Sequence, residues 1–342
     1  MRCIEPAPVI ILASRGAQGS MLAGLLGAHP ELCGAPHLNI LAFEYAWQQE
    51  VYCWVPRDST NHGLLRFLGQ CLVGEQTVQS VQAARRWLGQ RSELRAIDIY
   101  FALASLVAPK RLVDYSPLYA QNATVMRRVA DAVPDAKIIH LVRCPFAQAQ
   151  AVSRAAWQTI NASLRYWTET GLNHPSLDPY EIGEQMIDWS VSPPVFDPQF
   201  SWYRTQKAAL DLFQDLPEER RVRVRAEDLA ADPRGTLRSL LAALDVAGAE
   251  AVIDVMLSSD RHDYMAPGPF EAPMGIDFDM IRTTVADAIA GLAPVEPIDP
   301  LAALPWRGDE DRFQPEVVDM ARELGYRVTG ASWRNSKQMQ VR

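Results

Sequence analysis

The chain has 342 residues with 48% hydrophobic side chains, room for one large α/β domain or two small ones. Lysine and arginine number 33 against 41 aspartates and glutamates, a formal net charge of -8, which excludes a global basic field for nucleic acid or an anionic membrane. The five cysteines (Cys3, Cys33, Cys53, Cys71 and Cys144) are odd in number and lack CxxC spacing, which argues against a disulfide scaffold or a zinc cluster and fits a reducing cytoplasm.

The apolar run from Val9 to Ser14 has no basic n-region and is too short for a signal peptide core, so it reads as a strand buried on both faces. Gly16, Ala17, Gln18 and Gly19 form a turn. In SMLAGLLGAHP, Met21, Leu22, Leu25 and Leu26 then recur at helical spacing until Pro30. Residues 62–107 carry helical periodicity throughout. Arg111–Tyr115 reads as a second strand, Ala123–Val133 as a helix, and Lys137–Val142 as a third strand running through Arg143, Cys144 and Pro145 into another helix.

From about 157 to 198 the composition turns to Trp, Tyr, Asp, Glu and Pro, predicting an inserted helical cap with a short helix near Tyr180–Trp189. A helix over 199–216, a strand over Arg221–Arg225 and a helix over Arg234–Leu244 follow. Residues 263–279 are loop-rich, and Pro315–Leu324 is a last amphipathic helix. The alternation predicts an α/β fold: a P-loop-like, doubly wound parallel sheet with a helical cap. One domain would span 1–342, with the cap at about 157–198 and an irregular C-terminal extension at about 294–342. No stretch reaches transmembrane length, so the expectation is a soluble, cytoplasmic protein without membrane or nucleic-acid partners.

A strand, a glycine turn and a helix start make a ready anion site, because turn N–H groups and the positive end of the helix point at one place. It is no Walker A motif: Ser20 is followed by Met21, and no lysine follows Gly19.

Three segments together resemble the sulfotransferases that use 3′-phosphoadenosine 5′-phosphosulfate (PAPS). VIILASRGAQGSMLAGLLGAHPELCG resembles the family's 5′-phosphosulfate loop and helix. KIIHLVRCPFAQAQAVSR resembles its 3′-phosphate strand and helix, and VRVRAEDLAADPRGTLRSLLAALDV a third family segment. LVDYSPLYA and DPYEIGEQMIDW look closest to sulfotransferase domains of polyketide pathways. The resemblance implies PAPS as donor, a small-molecule acceptor of specialised metabolism, and an acyl carrier protein as a possible partner.

The match departs from the family where the donor should sit. Aligned from His29-Pro30 backwards, the family's loop cation falls on Gly16, its next hydroxyl on Ala17, its glycine on Gln18 and its hydroxyl pair on Gly19 and Ser20. Arg15 lies one position early. Tyr115 stands where the family commonly has lysine. Arg143 matches the 3′-phosphate arginine, but its partner serine is Ala151, with Ser153 two residues on. Hydrogen bonds to charged groups contribute roughly 1.5–3 kcal/mol each. Losing two cations and two hydroxyls therefore costs on the order of 10³-fold or more in affinity.

The donor candidates implied are Arg15, Gly19, Ser20, Arg143 and Ser153. The catalytic candidates are His37, Tyr115 and Arg15. His37 sits where related enzymes place a glutamate base, and reads either as a base or as a loop histidine bonded to backbone. Trp157, Trp167, Tyr180 and Trp189 in the cap and His262 in the loop are candidates for an acceptor pocket, or else packing residues. No metal site is expected. Two functions follow: a PAPS-independent acid/base reaction (cyclisation, elimination or acyl release), favoured, with no cofactor; or PAPS-dependent sulfuryl transfer to a hydroxyl. A binding protein without catalysis is the third.

Overall fold

Seven strands occur among the described residues: β1 (Val9–Leu12), β2 (Leu32–Ala35), β3 (Arg111–Tyr115), β4 (Lys137–Val142), β5 (Ile187–Asp188), β6 (Val195–Phe196) and β7 (Arg221–Arg225). The computed structural model describes residues 5–52, 60–153, 187–188, 195–258, 263–277, 280–292, 297–307 and 312–329. Two compact units divide the chain, Met1–Val142 with Ala208–Ala293, and Arg143–Lys207 with Pro294–Arg342.

In the first unit five strands run in the order β2-β3-β1-β4-β7, all neighbours parallel. β1 lies at the centre because Val-Ile-Ile-Leu has no polar face to offer solvent; all four side chains are buried. Its Ile11 is level with Tyr115 of β3, and Asp114 is level with Ala35 of β2. β3, β4 and β7 keep the bounds read from the sequence.

β2 is a correction: the sequence predicts no strand at 32–35. Leu-Cys-Gly-Ala has a half-exposed middle and weak strand propensity. Four residue pairs with β3, from Leu32–Arg111 to Ala35–Asp114, make it a strand. Residues 62–107 resolve into three helices after α1 (Gly19–Gly27) and α2 (Ala46–Tyr52): α3 (His62–Val73), α4 (Val78–Gly89) and α5 (Ala96–Val107). α4 starts at a reciprocal cap between Thr77 and Ser80. α6 (Ala123–Ala132) begins where the Asn122 side chain accepts the Val125 N–H. Among the described residues no helix is long and apolar enough to cross a membrane.

In the second unit the expected helix near Tyr180–Trp189 is corrected at its described end. Ile187–Asp188 pairs antiparallel with Val195–Phe196, Ile187 level with Phe196 and Asp188 with Val195. Asp188 and the fully buried Asp197 both accept from Arg307 Nη1, at 3.0 and 2.6 Å. Trp306 Nε1 also donates to Asp197.

Strand direction positions the site. The carboxyl ends of β1, β2 and β3 lead into Ser14–Ser20, into His37 and into Ser116 respectively, at the edge where open parallel sheets take ligands.

Candidate active site at the start of the first helix

Leaving β1, the chain turns sharply: Ala17 N–H donates to the Ser14 carbonyl at 3.1 Å, and Gln18 takes a left-handed φ of 69°. This starts α1 with Ser20 in its first turn. After β2, His37 N–H donates to Gly275 O at 2.7 Å. Gly275 has φ 117°, and a side chain there would run into Gly63 Cα at 2.6 Å; one on Gly63 would strike the His37 carbonyl. Three backbones approach too closely for any Cβ, and this brings the distant loop to His37.

Arg66 of α3 braces that loop. Fully buried, it donates to Gln76 Oε1 at 2.7 Å, Ala266 O at 2.8 Å and Met274 O at 2.9 Å. Both limbs of the 263–277 loop are thereby tied to one guanidinium, whose burial brings its pKa down to about 10.

The loop delivers Asp277 to the helix start. Its Oδ2 accepts the Ser20 N–H at 3.2 Å, and its own N–H donates to Ser20 Oγ at 3.0 Å. Ser20 Oγ lies 2.9 Å from His37 Nε2, and Asp277 Oδ1 lies 3.7 Å from the same nitrogen. A carboxylate therefore sits where the dipole of α1 favours an anion. Burial, aided by the nearby Arg15 charge, lowers the His37 pKa to about 3, so the imidazole is neutral at physiological pH. Burial raises Asp277, while the Ser20 hydrogen bonds and Arg15 pull it back.

Tyr115 is fully buried, its ring edge-on to His37 with centroids 5.2 Å apart. Its ring also covers Gly19, where an added Cβ would meet three ring carbons. Gly19→Ala is thus expected to cost about 1–3 kcal/mol by overpacking. Tyr115→Leu in the same chain should relieve part of that cost. Urea denaturation of the four proteins in the cycle measures the coupling; additive losses would mean the ring does not cover Gly19.

A second buried network lies beneath. Asp114, fully buried on β3, accepts from Ser116 Oγ at 2.7 Å and Tyr119 Oη at 2.8 Å. Burial raises its pKa to about 7, against the pull of those two hydroxyls.

Of the expected site residues, Arg15, Gly19, Ser20, His37 and Tyr115 come together. Arg143 and Ser153 belong to the second unit. Arg143 is buried and its carbonyl accepts Trp202 Nε1 at 2.9 Å, while the Ser153 hydroxyl has no hydrogen-bond partner among the described residues. Trp157, Trp167, Tyr180, Trp189 and His262 lie outside the described residues. Asp277 and Asp114 escaped the sequence reading. A charged residue inside the apolar strand RLVDY was the available signal for Asp114; Asp277, 257 residues from Ser20, had none.

A parallel α/β sheet with a turn and helix start at its carboxyl edge defines the class of nucleotide- and anion-binding folds. The family model described as "Sulfotransferase family" matches residues 8–250, and the chain belongs to the sulfotransferase family. Among solved structures it is similar to the sulfotransferase domain from the curacin biosynthetic pathway, with 20% identity and a TM-score of 0.64 over 95% of this chain and 100% of that one. It is also similar to the sulfotransferase domain from the Synechococcus PCC 7002 olefin synthase, with 22% identity and a TM-score of 0.62 over 96% of this chain and 98% of that one. No curated protein sequence matches the chain.

Proposed function

We propose that this sulfotransferase-family protein is an enzyme of specialised metabolism that runs acid/base chemistry without PAPS, on a small or carrier-tethered substrate. The observation that carries the reading is the Asp277 carboxylate on the Ser20 N–H. A phosphosulfate at that place would meet the Asp277 carboxyl beside the Arg15 charge, and an ionised Asp277 would repel it. Gly16, Ala17, Tyr115 and Ala151, which offer neither a cation nor an aliphatic hydroxyl, support the same reading. The group that remains is a neutral imidazole 2.9 Å from a serine hydroxyl, within reach for a proton transfer. The two similar domains from biosynthetic pathways support a carrier-tethered substrate.

The second reading is ordinary sulfuryl transfer to a hydroxyl, with His37 as base and Arg15 and Ser20 holding PAPS. It is favoured by the charge of Arg15, which acts on both His37 and Asp277. The product nucleotide, 3′-phosphoadenosine 5′-phosphate, separates the two. A ligand at about 100 times its dissociation constant stabilises by roughly 2.7 kcal/mol. In a chain of this size that raises Tm by about 2–4 °C per kcal/mol. The expected shift at sub-millimolar nucleotide is close to zero. A rise of several degrees that is lost in Arg15→Ala would restore PAPS-dependent transfer.

A further inference from the structure

We infer that Ser20 is a nucleophile that takes an acyl group from a thioester, with His37 as the base that receives its proton. This rests on the reading that the first turn of α1 does not hold the nucleotide. The contact between the hydroxyl and the imidazole carries the inference. Ser20 Oγ accepts the Asp277 N–H and lies 2.9 Å from His37 Nε2, to which it donates when the imidazole carries its proton on Nδ1. In that neutral tautomer the Nε2 lone pair is available, and the imidazolium it becomes faces Asp277 Oδ1 at 3.7 Å. The hydroxyl stands in the first turn of α1, where the Ser20 N–H is held by Asp277 and the positive end of the helix remains. The Arg15 charge, felt by both His37 and Asp277, offsets the carboxylate there.

Beside Ser20 a cavity of about 190 Å³ opens between small side chains, Gly24, Ala28 and Ala35, and the larger Tyr264, Met265 and Ile276. That is room for about six water-sized groups, the size of a short acyl chain. In the first half-reaction Oγ bonds to the thioester carbonyl carbon as its proton passes to Nε2. The C–S bond then breaks, and the thiolate leaves with that proton as a thiol. In the second, water attacks the serine ester, its proton passes through His37 back to Oγ, and the carboxylic acid departs.

The full chain is treated with a short-chain alkyl fluorophosphonate and, separately, with butyryl-pantetheine, then analysed by intact mass and peptide mapping. The expected result is one phosphonyl group per chain, on Ser20, and release of butyrate from butyryl-pantetheine, both at least about 10²-fold slower in His37→Gln. Ser20→Ala, checked for folding by circular dichroism, should stay unlabelled. Mapping on the unaltered chain needs no variant to fold, so a label elsewhere, or none on folded protein, overturns the inference. The two readings fail separately. No label and no nucleotide shift sinks Ser20 alone, whereas no label with a clear nucleotide shift sinks both.

Discussion

Asp114→Asn is expected to reshape the dependence of stability on pH by about 4 kcal/mol between pH 4 and pH 8. The folded-state pKa of Asp114 is about 7 against an ordinary 3.8, raised by burial. Below pH 4 both folded and unfolded chains carry the proton, and the stabilisation is fully present. Between pH 4 and 7 the unfolded chain ionises first, so stability falls as pH rises, by about 1.36 kcal/mol per unit. His37 works the other way. Its folded value of about 3 lies below the ordinary 6.5, so the unfolded chain takes up the proton first as pH falls. Stability is then lost with acid, from about pH 6.5 down to pH 3.

Where the windows overlap, from about pH 4 to 6.5, the two slopes oppose each other and the unaltered protein should show a nearly flat profile. Asp114→Asn should uncover the acid loss due to His37. His37→Gln should uncover the alkaline loss due to Asp114. The asparagine fits because the Tyr119 hydroxyl can turn to accept where it now donates, and Tyr119 Oη already receives the Leu41 N–H. Urea unfolding at closely spaced pH values measures the slopes. Parallel profiles for the unaltered protein and Asp114→Asn would mean that the carboxyl is not held protonated by the fold.

Much of the sheet was legible because Val9–Leu12 and the apolar centres of RLVDY and KIIHLV suit parallel strands buried on both faces, and the alternating RVRVR, with its valines buried, suits an edge strand. RLVDY, KIIHLV and RVRVR each kept their bounds. β2 was not legible, since an edge strand of Leu-Cys-Gly-Ala depends on its neighbour β3 and on nothing periodic in itself. Ser20 and His37 followed from the strand-turn-helix pattern and its resemblance to a known family. Their partner did not. Asp277 lies in a loop of prolines and glycines, and its place is set by backbone closeness among His37, Gly63 and Gly275, which no sequence period encodes. The packing of Tyr115 on Gly19 is of the same kind: both residues stood out in the sequence, but only the fold joins them.

Asp277 accepts the Ser20 N–H at the start of α1, the place an external anion would take. Asp277→Ala is therefore expected to gain a property the unaltered chain lacks. With the carboxylate gone, the Ser20 N–H and the Arg15 charge become available to an external anion, and a like charge is removed. A hydrogen bond to a charged group contributes roughly 1.5–3 kcal/mol. Inorganic pyrophosphate, measured by calorimetric titration of both proteins at low salt, should bind Asp277→Ala about 10- to 150-fold more tightly. The unaltered protein should give no measurable heat at the same concentrations. Tight, equal binding by the two proteins would contradict the account, because it would mean that an anion reaches the helix start with the Asp277 carboxylate in place.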